Sequence, residues 1–169
     1  MDRDEKLIRL YTRVYSRPRT LALLRLCGSV GVAYVVLCFL SIVAWLLVER
    51  EYTACLKLCA VAAIPFVAVS AMRFLLNVER PYETMDFAPF EAMKRERKAG
   101  KSFPSRHVFS AFLIGTLTLF YSVPLGIVTL LIGAFIGTER VMLGIHFTRD
   151  VICGGIIGVV SGLVGMPFL

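Results

Sequence analysis

The fold is decided between residues 108 and 138, where the sequence reads VFSAFLIGTLTLFYSVPLGIVTLLIGAFIGT. These 31 consecutive positions carry no charged side chain, whereas a helix that crosses a bilayer core needs only about 20 apolar residues. The stretch is too long for one span, and Pro124 near its middle predicts a break between two helices. We expect one transmembrane helix over about residues 106–122 and a second over about 124–143.

Two further charge-free runs lie outward from this stretch, at residues 28–48 and 151–169. They predict spans over about 28–48 and 150–167, and an apolar segment with one early lysine, Lys57, predicts another over about 54–76. Only 18% of the 169 residues are charged, 57% are hydrophobic and the mean hydropathy is +0.75, against about 25% charged in soluble domains. The sequence therefore predicts an all-α, polytopic membrane helix bundle of about five transmembrane helices. A disordered chain, a secreted disulfide scaffold and an ordinary soluble enzyme are excluded.

The segment before the first span has a different character. Residues 1–27 contain apolar side chains at helical spacing, with basic side chains on the opposite side: Leu7, Leu10, Tyr11, Val14 and Tyr15 against Lys6, Arg9, Arg13 and Arg17. This pattern predicts a basic amphipathic helix that lies in the membrane interface, the alternative being a frayed basic tail. Residues 28–169 are predicted to form a single membrane domain, with a polar loop over 77–103 that contains a short surface helix at about 90–98.

Ionisable side chains near the ends of spans are costly in a membrane, so each of them calls for a reason. If the spans alternate in direction, the end of the second, the start of the third, the end of the fourth and the start of the fifth meet at one face. That face would collect four arginines, a serine, an aspartate and both histidines of the chain, namely Arg73, Arg80, Ser105, Arg106, His107, Arg140, His146 and Asp150.

This set of residue types favours phosphate chemistry. Arginine forks bind phosphate oxygens and neutralise the charge that develops during phosphoryl transfer. A neutral imidazole can attack phosphorus when a carboxylate orients it, and His146 and Asp150 lie one helical turn apart. A second imidazole, His107, can protonate the leaving oxygen and later activate water. We expect no metal and no other cofactor. Singly, each arginine or histidine is more typical of a headgroup anchor or a structural residue.

Three motifs in this set resemble the signature of the type 2 phosphatidic acid phosphatase (PAP2) superfamily. The motifs are Arg73-x6-Arg80-Pro81, Pro104-Ser-Arg-His107 and Arg140-x5-His146-x3-Asp150, and the family pattern is Lys-x6-Arg-Pro, Pro-Ser-Gly-His and Ser-Arg-x5-His-x3-Asp. Order and internal spacing agree throughout. The resemblance implies metal-independent hydrolysis of a lipid phosphate or diphosphate through a phosphohistidine.

The resemblance also implies a role for each residue. His146 would be the nucleophile, Asp150 its orienting carboxylate and His107 the general acid, while the phosphate would be held by Arg73, Arg80, Ser105, Arg106 and Arg140. The chain departs from the family pattern at three positions. Arg73 replaces lysine and Arg106 replaces glycine, so Arg106 is either a further anion ligand or an outward interfacial side chain. Glu139 replaces serine and can either pair with Arg140 or Arg149 or repel a strongly anionic substrate.

The net charge of +7 indicates the orientation of the chain in the membrane rather than binding to nucleic acid. With five spans, the N-terminus and the active face share one side, which holds all lysines and arginines except Arg50 and Lys57. The positive-inside rule then predicts a multi-pass protein of the cell membrane whose active face is cytoplasmic.

The expected partners are the bilayer and a membrane lipid phosphate, either prenyl or glycerolipid, and the oligomeric state stays open. Two other functions remain as alternatives. One is a lipid phosphotransferase of the same fold, and the other is a non-catalytic membrane protein whose basic face only binds anionic lipid.

Overall fold

The computed structural model describes residues 3–96 and 99–169, and within them it is a bundle of α-helices. The helices are α1 (Arg3–Tyr15), α2 (Pro18–Val48), α3 (Tyr52–Leu76), α4 (Pro81–Thr84), α5 (Ala88–Glu96), α6 (Arg106–Tyr121), α7 (Val123–Met142) and α8 (Thr148–Gly165), followed by a 3-10 turn over Met166–Phe168.

Among the described residues, four segments are long and apolar enough to cross a membrane: Pro18–Val48, Tyr52–Thr84, Val123–Met142 and Thr148–Phe168. Large apolar side chains on their outer faces, such as Leu37, Leu56 and Leu131, are more than 60% exposed, as expected of surfaces that contact lipid. The chain is therefore a multi-pass membrane protein, and the predicted all-α membrane bundle is confirmed.

The span predicted over about residues 106–122 forms α6, which has only 16 residues and a length of about 24 Å. It lies at the centre of the bundle against α7 and α8, and Val108, Phe109, Leu113 and Leu117 are almost fully buried. Because other helices surround α6, its length need not match the thickness of the hydrocarbon layer.

Glycines let α8 approach α6 closely. A Cβ atom added at Gly154 would lie 2.7 Å from the carbonyl oxygen of Ser105, and one at Gly158 would lie 2.5 Å from that of Phe109. The same contact continues one turn further on, where Gly162 faces Thr116. The four-residue spacing of these glycines thus serves helix packing.

The N-terminal part differs from the prediction in one boundary. Helix α2 begins at Pro18 rather than near residue 28, so residues 18–27 belong to the long helix and not to the interfacial segment. Proline is favoured at the first position of a helix, and the basic side chains Arg19 and Arg25 remain exposed on the added turns.

The predicted amphipathic helix forms as α1, and its apolar face is covered by protein. Tyr11 and Val14 are buried in a cluster with Tyr82 of the α4 turn, Phe90 of α5 and Ile145 of the α7–α8 loop. The predicted surface helix at 90–98 corresponds to α5, and residues 97 and 98 lie outside the described part of the chain. Helices α1, α4 and α5 therefore pack together at the end of the bundle where α7 ends and α8 begins.

Candidate active site

The predicted site residues lie at this end of the bundle, on the ends of four helices. Helix α3 ends at Asn77, whose left-handed backbone (φ 40°) turns the chain into the loop, and α6 begins after Ser105. Gly144 has a φ of +67° and reverses the chain after α7, a conformation that glycine adopts without strain. This reversal places His146 just before α8.

The pairing of His146 with Asp150 is mediated by a serine that the sequence analysis did not single out. The Ser102 hydroxyl donates to Oδ2 of Asp150 at 2.5 Å and lies 3.3 Å from Nδ1 of His146, whereas Nδ1 and Oδ2 themselves are 3.8 Å apart. The backbone N–H of Phe147 donates to the same Oδ2 at 3.0 Å. Because the serine proton goes to the carboxylate, its oxygen accepts the Nδ1 proton of His146, which leaves the Nε2 lone pair unprotonated.

His146 is held in its neutral form. It is 2% exposed, and this burial is the largest cause that lowers its pKa to about 4. The nearby carboxylate of Asp150 raises the pKa, while the positive charges of Arg80 and Arg73 lower it further. A neutral ring with one basic nitrogen is the form that a nucleophile requires.

Arg73 is buried and binds the backbone of the loop that carries the second motif. Its Nη1 donates to the carbonyl oxygens of Ser102, at 3.3 Å, and of Pro104. Its charge also acts on His146. Arg73 therefore positions the Ser102–Pro104 backbone in addition to contributing positive charge.

Arg80 is anchored to the other side of the same loop. Its Nε donates to the carbonyl oxygen of Gly100 at 3.0 Å, and its backbone N–H donates to Oε2 of Glu83 at 2.8 Å. The Glu83 carboxylate also accepts the Gly100 N–H at 2.9 Å. A second residue missed from the sequence, Glu83, thus ties the first motif to the loop.

Ser105, Arg106 and His107 form the start of α6. The backbone N–H of Ser105 donates to the carbonyl oxygen of Asp150 at 2.9 Å, and its hydroxyl is buried without a hydrogen-bond partner among the described residues. Such an orphaned buried hydroxyl at a helix N-terminus suits an anion.

Arg106 points toward α3, where its guanidinium lies 5.6 Å from the centre of the Phe66 ring. Together with His107 it lines a cleft of about 240 Å³ whose other walls are Ser110 and apolar side chains of α2, α3, α6 and α7. His107 also interacts electrostatically with Arg140, His146 and Arg73. His107 therefore lies between the charged site and a cleft lined mainly by apolar side chains.

Arg140 lies on the last turn of α7, beside a buried glutamate. Its Nε lies 3.2 Å from Oε2 of Glu139, and the two side chains are 15% and 2% exposed. Of the two partners expected for Glu139, the structure places Arg140 against it, while Nε of Arg149 lies 3.5 Å from Oδ1 of Asp150.

The predicted residues therefore meet at one end of the bundle. Two of them have surroundings that differ from those expected of phosphate ligands. Arg73 is bound to backbone carbonyls, and Arg106 faces the cleft rather than the His146–Asp150 pair. Within the described residues, no three His, Cys, Asp or Glu side chains lie close enough to hold a metal ion. The arrangement offers one oriented imidazole, a second imidazole at an apolar cleft, and several guanidinium groups, which together can bind and transfer a phosphoryl group.

The chain matches one family model and one curated protein over much of its length. The model described as the PAP2 superfamily covers residues 54–169. The chain is 28% identical over 103 residues to the bacitracin transport permease protein BcrC of Bacillus licheniformis. That match covers 60% of this chain and 51% of the relative, so the chain spans about half the length of this curated relative.

Two solved structures share the fold. LpxE of Aquifex aeolicus aligns with a TM-score of 0.72 and 22% identity, over 99% of this chain and 97% of that one. A transmembrane PAP2 type phosphatidylglycerolphosphate phosphatase from Bacillus subtilis aligns with a TM-score of 0.73 and 20% identity, over 98% and 83%. At these identities the likeness establishes a common helix bundle.

Proposed function

The chain belongs to the PAP2 superfamily, and we propose that it hydrolyses a lipid phosphate or diphosphate through a phosphohistidine at His146, without a metal. The observation that carries the proposal is the chain of contacts from Asp150 through the Ser102 hydroxyl to Nδ1 of His146. This arrangement fixes the tautomer in which Nε2 is the nucleophilic nitrogen.

In the first step, Nε2 of His146 attacks phosphorus and the bond from phosphorus to the lipid-side oxygen breaks. His107 enters this step in its protonated form and gives one proton to that oxygen, so the lipid product leaves uncharged at this position and His107 becomes neutral. The developing negative charge on the phosphoryl oxygens is stabilised by Arg80, Arg140 and the start of α6 at Ser105.

In the second step, His107 takes a proton from a water molecule and the resulting hydroxide attacks the phosphohistidine. The P–N bond breaks, inorganic phosphate leaves, and both histidines return to their starting forms. Every proton removed in one step is returned in the other, so the cycle consumes one water per phosphate released.

The substrate class follows from the surroundings of His107. The leaving group must occupy the cleft that His107 and Arg106 line, and its apolar walls suit a hydrocarbon chain better than a soluble alcohol. A prenyl diphosphate, a phosphatidylglycerol phosphate and a phosphatidate all meet this requirement.

The active face is proposed to be cytoplasmic. Arg50 lies in the turn between α2 and α3, at the opposite end of α2 from α1 and the site. Most lysines and arginines of the chain belong to the end that holds the site, and short loops rich in these residues stay in the cytoplasm.

The test is phosphate release from a panel of lipid phosphates and diphosphates in detergent with EDTA, for wild type, His146→Gln and His107→Gln. We expect wild-type turnover with EDTA present and losses of about 1,000-fold or more in both variants. When quenched in alkaline detergent, His107→Gln should retain more base-stable, acid-labile phosphoprotein than wild type, because its second step lacks the base.

Other outcomes of this experiment contradict the proposal. Undiminished turnover in His146→Gln would exclude the phosphohistidine. Transfer of phosphate to an added alcohol in preference to water would identify a phosphotransferase. Absence of turnover on every lipid, combined with binding to anionic vesicles, would identify a non-catalytic lipid-binding protein.

A further inference from the structure

A buried carboxylate lies beside the phosphate ligands, where it is unexpected for a site that binds an anion. Glu139 is 2% exposed on the last turn of α7, and its Oε2 is 3.2 Å from Nε of Arg140. Burying a carboxylate costs free energy unless it is paired, so its presence here calls for a partner and a purpose.

The structure contains a space that fits this carboxylate. Gly28 of α2 faces Glu139, and a Cβ atom added at Gly28 would lie 2.7 Å from Cδ and 2.8 Å from Oε1 of Glu139. Real Cβ atoms do not come this close to other heavy atoms. Any residue larger than glycine at position 28 would therefore displace the carboxylate of Glu139.

The ion pair restricts the direction of Arg140. Neighbouring residues on a helix point about 100° apart, so the Arg140 side chain must fold back for its Nε to reach Glu139. With Nε beside Glu139, the planar guanidinium can present its Nη1 and Nη2 amino groups only over a restricted range of directions, and these groups make up the edge used in bidentate recognition of phosphate.

We propose that Glu139, seated against Gly28, is a positioning residue that aims the Arg140 guanidinium at the phosphate and lowers the net positive charge of the site. The proposal rests on the proposed function, since it takes Arg140 as a phosphate ligand. A lower net positive charge reduces the affinity for inorganic phosphate, which is the product. The fixed direction of Arg140 stabilises the transition state.

The test separates the charge of Glu139 from its packing. Glu139→Gln removes the charge and keeps the size, so we expect kcat to fall roughly 10-fold or more because Arg140 is no longer fixed. The inhibition constant of inorganic phosphate should fall roughly fivefold, because one negative charge has left the site. A residue with a purely structural role would not tighten phosphate binding.

Two further variants test the space at Gly28. Gly28→Ala keeps the charge but displaces the carboxylate, so kcat should fall while phosphate inhibition stays as in wild type. Adding Glu139→Asp, which is one methylene shorter, makes room for the new methyl group and should restore part of the lost kcat. Such compensation is measured as coupling in a double-mutant cycle.

Gly31→Ala is the matched control. It lies one turn further along the same face of α2, and its added Cβ would touch Ile132 and Ile136 of α7 at 3.3 Å rather than Glu139. We expect wild-type kcat and wild-type phosphate inhibition from this variant. Melting temperatures in detergent, taken for every variant, separate loss of folding from loss of function.

The inference is overturned if Glu139→Gln leaves both kcat and phosphate inhibition unchanged, or if Gly31→Ala reproduces the loss seen in Gly28→Ala. Failure of the proposed function has a different signature, which is the absence of phosphate release by wild type from every lipid in the panel. In that case, direct titration of inorganic phosphate into wild type and Glu139→Gln still tests the effect of the charge.

Discussion

The Ser102 hydroxyl is the smallest group in the proposed mechanism. It joins His146 and Asp150, whose own closest atoms are 3.8 Å apart. The four-residue spacing of His146 and Asp150 predicted that their side chains lie close together. It did not show that a third side chain lies between them. The signal was present in the position of Ser102, three residues before the Ser105 of the second motif.

We expect Ser102→Ala to lower kcat roughly 10- to 100-fold with little change in KM, because the tautomer of His146 is no longer fixed while the arginines stay in place. Steady-state phosphate release measures this. Ser41→Ala is the control, since that exposed hydroxyl bonds only its own helix at the carbonyl of Cys38. Equal activity of both variants would remove Ser102 from the mechanism.

The buried His146 also predicts how stability depends on pH. Burial lowers its pKa in the folded protein to about 4 from the ordinary 6.5. Between these values the unfolded chain binds a proton that the folded protein does not. The free energy of unfolding should therefore be fully retained above pH 6.5 and fall as the pH drops toward 4, by up to about 1.4 kcal/mol per pH unit from this residue.

Thermal unfolding in detergent at pH 4.5, 5.5 and 7 checks this expectation. His146→Gln carries no titrating ring, so its melting temperature should fall less steeply over this range than that of wild type. Parallel decreases in the two proteins would show that other groups, and not His146, set the acid sensitivity.

At the scale of the elements, the contact between α6 and α8 holds the second motif against the third. Ser105 at the start of α6 and Asp150 on the first turn of α8 are bonded directly through the backbone. The glycines that follow on α8 let this close approach continue along both helices. The catalytic geometry thus depends on a helix contact that extends away from the site.

We expect Gly158→Ala to destabilise the protein by about 1–3 kcal/mol, because the added methyl group would lie 2.5 Å from the Phe109 carbonyl oxygen. Gly155→Ala is a matched control on the same helix, where the nearest atom lies 3.7 Å away. It should be neutral or slightly stabilising because alanine favours helix. Melting temperatures in detergent measure both, and equal shifts would contradict the role of close packing.

For the whole molecule, the two ends of the bundle differ in charge and in whether a further helix packs over them. The end that holds the site is also covered by α1, whose Tyr15 hydroxyl donates to the carbonyl oxygen of Leu143 at 3.0 Å. The basic side chains Lys6, Arg9 and Arg13 stay exposed on the outer face of α1. Anionic headgroups on the same side of the membrane would bind them.

This asymmetry predicts the orientation in the membrane. In a cysteine-free background, a cysteine placed at Arg13 should react with a membrane-impermeant reagent only after the cell is opened. One placed at Arg50 should react in intact cells, because Arg50 lies in the turn at the other end of α2. The reverse pattern would place the active face outside.

The sequence by itself determined the class of fold, the family and the residues proposed for the site. Long apolar runs without charge are favoured inside protein or lipid, and the proposed nucleophile, its carboxylate and their arginines have fixed spacings within each motif. These features are local, so they are visible along the chain without knowledge of the fold.

Only the tertiary structure decided how the motifs meet. Three contacts join segments that are distant in sequence: Arg73 with backbone carbonyls of the loop, Ser102 with His146 and Asp150, and Glu139 with Gly28. Periodicity reports which face of a helix is buried but not which atom it touches. Contacts between helices depend on their separation and rotation, which the packing of the whole bundle sets.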